Sequence, residues 1–173
     1  MPNRKKKAAE SEVVMTELVL PNDTNTLDNL MGGRLLHLMD VSAAIAAQRH
    51  SNRIVVTASV DNVSFRSPIA LGNVITLRAK VTRSFVSSME VFIEVTAEDI
   101  PAKKKVVSNS AFYTFVAVDQ GGRPIEVPEL EPESEHELKL YDGALKRREL
   151  RLVLAGRMKP EEATEVKALF LGS

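Results

Sequence analysis

Cysteine and tryptophan are absent from the 173 residues. Without cysteine there is no disulfide, no thiolate nucleophile and no sulfur-ligated metal, and a cytoplasmic location is the default expectation. No apolar run approaches the ~20 residues that a membrane-spanning helix needs, so no membrane partner is expected. The opening residues, MPNRKKKAAESE, are basic but have no apolar segment behind them. They read as a disordered basic tail over 1–11 and not as a secretory signal. Basic and acidic residues balance at 23 each, which argues against a nucleic-acid partner held by phosphate neutralisation. The three histidines, His37, His50 and His136, are too few and too scattered for a metal site, and no metal or other cofactor is expected. No Gly-x-Ser-x-Gly elbow, P-loop or Gly-x-Gly-x-x-Gly occurs, so serine-hydrolase and nucleotide-phosphate readings lack their motifs.

What is present centres on residues 21–50. Pro21, Asn22, Asp23, Thr24, Asn25 and Asn29 favour turns, because their side chains compete with regular backbone hydrogen bonding. Gly32 and Gly33 then open a helix whose residues from Leu35 to Ala47 are mostly apolar or small, so it is expected to be buried around most of its circumference. Asp40 is the one formal charge in that run. A carboxylate there costs several kcal/mol unless it is paired, hydrogen-bonded or protonated. Two readings stand: an Asp held by a hydroxyl or amide of a neighbouring strand, or a catalytic carboxylate. His37, one turn earlier, is placed to hydrogen-bond Asp40, and His50 ends the helix where a cation complements the dipole.

Around this helix the pattern switches to strands. Residues 12–20 alternate, 53–65 are rich in β-branched side chains, and 74–85 set Ile75, Leu77, Ala79 and Val81 against Val74, Thr76, Arg78 and Lys80. Residues 89–96 and 106–118 complete five strands. Short connections favour antiparallel pairing. One mostly apolar helix beside a one-sided sheet predicts an α+β fold with the sheet curled around the helix, one helical face remaining to be covered by a second copy.

The residues are also familiar. Pro21-Asn22-Asp23-Thr24-Asn25, then Gly32-Gly33, then Leu38-Met39-Asp40, resembles the signature of hotdog-fold acyl-CoA thioesterases of the acyl-CoA hydrolase type. Val56-Thr57-Ala58-Ser59-Val60-Asp61, Phe65, Gly72-Asn73-Val74-Ile75, Ser87-Ser88-Met89-Glu90-Val91 and residues 111–119 resemble the same family in order. The resemblance spans residues 12–130. It implies a five-stranded antiparallel sheet around a long central helix, an active-site Asn at Asn25 and Asp at Asp40, and a site shared across a two-fold dimer, with a trimer of dimers as the larger assembly. It also implies that Ser87-Ser88 line the nucleotide part of the site.

Thioester hydrolysis needs a polarised carbonyl and an activated water, which donors and a carboxylate supply. The amides of Gly32, Gly33 and Arg34 are unsatisfied first-turn donors, unless they are merely a helix start. Asn25 is either a carbonyl donor or a turn former. Asp40 serves as general base or as nucleophile through an anhydride. It lies seven residues beyond Gly33, ~10 Å along the axis, too far to serve a carbonyl at its own helix's N-terminus. The carboxylate is therefore expected from the neighbouring protomer. Arg34, Arg66, Arg83 and Lys103 to Lys105 are candidates for the coenzyme A phosphates or solvated charges. The competing function is a non-catalytic acyl-CoA-binding or regulatory module.

From Pro128 the composition changes. Glu129, Glu131, Glu133, Glu135 and Glu137 lead into a helical pattern carrying Lys146-Arg147-Arg148, and a second short helix is expected from Pro160 to near Gly172. Residues 131–173 read as a helical extension that stabilises the oligomer or regulates it.

Overall fold

The computed structural model describes residues 4–171, with the backbone alone at residue 62. The helix end expected near Gly172 lies outside the described residues, as do residues 1–3 of the expected tail. The chain divides into two compact units at Glu131/Pro132.

In the first unit, the short strand β1 (Lys6–Lys7) is followed by a 3-10 turn (Ala8–Ser11), β2 (Val13–Leu18), the helix α1 (Gly32–Ser51), and then β3 (Ile54–Phe65), β4 (Val74–Ser84), β5 (Ser88–Asp99), β6 (Lys104–Val118) and the short β7 (Leu130–Glu131). The five long strands form one antiparallel sheet in the order β2-β4-β5-β6-β3. Its concave face is apolar as the alternation requires: Ile75, Leu77, Ala79 and Val81 of β4, Met89, Val91, Ile93 and Val95 of β5, and Ala111, Tyr113 and Phe115 of β6 are buried. The α+β hotdog arrangement follows, the sheet wrapping α1.

α1 differs from the expectation of burial all round. Its buried side chains are Leu35, Leu38, Met39, Ser42, Ala43, Ala46, Ala47, His50 and Ser51, one stripe at three- and four-residue spacing. Val41 and Ile45 on the other side are each 36% exposed. A sheet covers only one side of a helix, so these apolar residues beyond the stripe stay partly exposed in the first unit.

The reading of 1–11 as a disordered tail does not hold from Lys6 onward. β1 pairs in parallel with β7, Ala8 is buried, and the buried Ser11 hydroxyl accepts from Val81 N–H at 3.0 Å. Lys6 Nζ donates to the Arg49 carbonyl at 2.9 Å and to Asn52 Oδ1, while Arg49 donates to the Glu12 carbonyl. One ammonium group of the lysine run thus satisfies the Arg49 carbonyl and the Asn52 side chain at the end of α1.

The second unit holds α2 (Glu135–Leu154), a 3-10 turn (Pro160–Glu162) and α3 (Thr164–Leu171). Ser134 begins α2 with a capping box: its hydroxyl accepts from Glu137 N–H at 3.1 Å and its own N–H donates back to Glu137 at 3.3 Å. Glu149 accepts from Val166 N–H at 3.0 Å and so ties α2 to α3.

Candidate active site

Asp40 lies half-buried in the middle of α1, and its Oδ1 accepts a 2.8 Å hydrogen bond from the hydroxyl of Thr57 on β3. The strand-hydroxyl partner is thus present, and Asp40 also lines a cleft. That cleft, of about 450 Å³, is lined by Gly33, Leu36, His37, Asp40, Val60, Val63 and Tyr113. The Tyr113 hydroxyl donates to the Leu36 carbonyl at 3.1 Å, so its one proton is not available to the cleft. Burial, with the nearby Asp40 charge adding to it, pushes the Tyr113 hydroxyl up to about 12.

Asn25 sits in a loop whose backbone is fixed at several points. Its N–H donates to the Asn29 carbonyl at 2.8 Å and its carbonyl accepts from Asp28 N–H at 3.0 Å. Leu30 N–H reaches the Ile69 carbonyl at 2.7 Å. The side-chain Oδ1 of Asn25 accepts from the N–H groups of Leu27 and Asn29 at 2.9 and 3.2 Å. Of the two roles left open by the sequence, the structure shows the turn former. The oxygen forms the turn, and the exposed NH2 is left as an outward donor whose orientation the turn fixes.

At the start of α1, Met31 provides no side-chain cap, and the first helical bond is Leu35 N–H to the Met31 carbonyl at 3.1 Å. The amides of Gly32, Gly33 and Arg34 precede it, where the helix dipole favours developing negative charge. Gly33 has open space where a Cβ would stand. At Gly32 a Cβ would meet the Phe65 ring at 3.2 Å, which gives this glycine a packing reason. Arg34 Nε pairs with Asp23 Oδ1 at 3.0 Å, and Asp23 also accepts from Leu20 N–H, so the arginine ties the Asn25 loop to the helix start.

The structure brings Gly33 and Asp40 to one cleft but puts Asn25 in another, of about 290 Å³, with Asn29, Phe65, Arg66, Ser67 and Asn109. Ser87 lies in the β4–β5 turn and Ser88 opens β5, its carbonyl accepting from Phe85 N–H at 2.8 Å, and neither lines these clefts. His37 is exposed in the Asp40 cleft. His50 is corrected from a helix-end cation to a buried neutral ring. Its Nε2 donates to the Pro128 carbonyl at 2.8 Å, and desolvation holds it below the usual histidine range. Among the described residues no cluster of His, Asp and Glu is suited to hold a metal, and no helix is long and apolar enough to cross a membrane.

Sequence reasoning missed Thr57 and Tyr113. A threonine within a β-branched run reads as a strand former, and only its pairing with the mid-helix carboxylate distinguishes it.

Residues 27–103 match the model of the thioesterase superfamily. An acyl-CoA thioester hydrolase of Bacillus subtilis, named as uncharacterized, is 42% identical over 138 residues, 80% of this chain and 80% of the relative. The chain belongs to the thioesterase superfamily. Within that superfamily, an apo-hexameric acyl-CoA thioesterase superposes with a TM-score of 0.86 at 38% identity, covering 88% of this chain and 97% of its own. The acyl-CoA hydrolase of Staphylococcus aureus, solved in complex with butyryl coenzyme A, coenzyme A and coenzyme A disulfide, superposes at 0.83 and 36% identity over 95% of this chain and 99% of its own. That match extends into the C-terminal unit. The same enzyme has been solved with an aspartate, a threonine or an asparagine replaced by alanine, the last in complex with coenzyme A.

Proposed function

We propose that this protein hydrolyses the thioester of acyl-CoA to the free acid and coenzyme A, using Asp40 of one protomer with Asn25 and the Gly33 amide of its partner. The observation that carries the split between Asn25 and Asp40 is the Thr57-oriented Asp40 carboxylate in a cleft that Asn25 does not line. Gly33 borders that cleft in its own chain, and its amide is paired with Asn25 because ~10 Å of helical rise separates it from its own Asp40. The two halves of one site then come from two chains. The asparagine, aspartate and threonine altered in the Staphylococcus aureus enzyme have the same sequence spacing as Asn25, Asp40 and Thr57. The homodimer is the minimal unit, and three of them give a hexamer of the kind named for a structural neighbour.

In this scheme the substrate carbonyl oxygen accepts from the Asn25 NH2 and the Gly33 N–H. As general base, Asp40 takes a proton from water while the water oxygen adds to the carbonyl carbon. As nucleophile, a carboxylate oxygen itself adds, and water then hydrolyses the anhydride. In both, negative charge builds on the carbonyl oxygen, where fixed donors stabilise the transition state more than the ground state. Collapse expels the coenzyme A thiolate. Gly32 and Arg34 border the donor site, and the Ser87-Ser88 turn contacts the nucleotide.

Purified protein incubated with acyl-CoAs of graded length and a thiol reagent tests the reading. Thiol release by the wild type and none by a folded Asp40→Ala variant is expected. Binding without release identifies a non-catalytic acyl-CoA-binding module instead.

A further inference from the structure

β3 carries two bulges. Thr57 pairs with Phe115 but Ser59 with Thr114, and Asp61 pairs with Phe112 but Ser64 with Ser110. Each interval holds one more residue on β3 than on β6. The usual two-residue repeat of a strand face becomes a three-residue one. Thr57 is in register with Phe115 and Val60 with Tyr113, both buried ring positions, and Val63 follows Val60 at the same spacing. Strict alternation from Val60 would bring the polar Ser64 to this face instead of Val63.

The result is that Leu36, Val60, Val63 and Tyr113 form an apolar wall of the cleft that Gly33, His37 and Asp40 also line. Tyr113 spends its one hydroxyl proton on the Leu36 carbonyl, and its ring is stacked 6.3 Å from Phe115. We propose that this wall receives the acyl chain of the thioester and that Val63, put there by the second bulge, limits the chain length accepted. The inference rests on the hydrolase reading of Asp40, whose reacting carbonyl would stand at the polar end of the wall.

The test is the profile of kcat/KM against acyl length, from acetyl- to palmitoyl-CoA, for the wild type, Val63→Phe and Val63→Ala. Filling the wall with Val63→Phe should penalise the longest accepted chain about tenfold or more beyond its effect on acetyl-CoA, because single methylenes in an apolar pocket discriminate on that scale. Val63→Ala should move the optimum to a longer chain. A loss by one common factor at every length overturns the proposal, as does dissociation of the assembly by light scattering, which would make the wall a subunit-packing surface. If Val63→Phe does not fold, Val63→Ala and Val60→Ala decide, and profiles superimposable on the wild type overturn it. A wild type releasing no thiol from any acyl-CoA sinks the hydrolase reading instead. Calorimetric affinities of Val63→Ala and wild type for the same series then decide the wall, which fails if their dependence on chain length is the same.

Discussion

The hydroxyl of Thr57 and the carboxylate of Asp40 meet at 2.8 Å, a strand residue holding a helix residue 17 positions away in sequence. A hydrogen bond to a charged group contributes about 1.5–3 kcal/mol. If it orients Asp40 for proton transfer or attack, Thr57→Val should lower kcat about 10- to 100-fold with KM little changed, and Thr57→Ser should recover most of the loss. Steady-state thiol release checks this. A Thr57→Val enzyme with wild-type kcat would leave the hydroxyl a structural role only.

Asn25→Ala should reduce kcat by roughly 10² to 10³-fold, the usual effect of losing one oxyanion donor. Asp40→Ala should be inactive but folded, since removing a half-buried carboxylate also removes its desolvation cost. Co-folding the two variants in equal amounts gives about half mixed dimers, each with one intact site if sites are shared, so roughly a quarter of wild-type activity should return. Mixed dimers verified by mass but no more active than the parents would place each site within one chain.

His50 makes stability depend on pH. Burial holds the folded imidazole below the ordinary histidine value, Lys6 adds to the depression, and the Pro128 carbonyl and Glu10 oppose it. The unfolded chain takes up a proton near pH 6.5 that the folded chain refuses, so stability is full above that value and declines as pH falls below it. The melting temperature of the wild type should therefore fall between pH 7 and pH 5 more steeply than that of His50→Gln. Parallel declines would assign the acid sensitivity to other groups.

Lys6→Ala removes the ammonium that caps α1. A cation at a helix C-terminus contributes about 0.3–1 kcal/mol, which for a chain of this size lowers Tm by about 1–4 °C. Thiol release at 25 °C should not change. Truncation after Leu130 should leave the first unit folded, with lower oligomeric order or Tm. Loss of folding on truncation would show that the C-terminal unit covers the core.

The long elements were legible because their periods are. α1 and the strands from Val74 to Val118 declare themselves by spacing, and Asp40 stands out as a charge where none belongs. Three things were not legible. The lysine run at Lys5-Lys6-Lys7 has the composition of a solvated tail, and Lys6 finds its partner at a helix end distant in sequence. The β-branched run of β3 did not reveal which residues face the helix, because two bulges replace a period of two by one of three. The extent of α1 burial was overestimated because an apolar helix does not reveal which of its sides its own sheet will reach.

α1 is held at both ends. Met31 N–H donates to the Asp23 carbonyl at 2.9 Å and Arg34 grips the same aspartate, while Lys6 and His50 fix the last turn. Helix ends normally fray, and their amides exchange with solvent through small local openings. Here opening the final turn also breaks the bonds that Arg49 and His50 make to the residue 6–12 strap and to Pro128. Hydrogen exchange at Ala46 to Ser51 should therefore track the opening of the first unit, and the carboxylate of Asp40 rides on a rod tied to the domain at both ends.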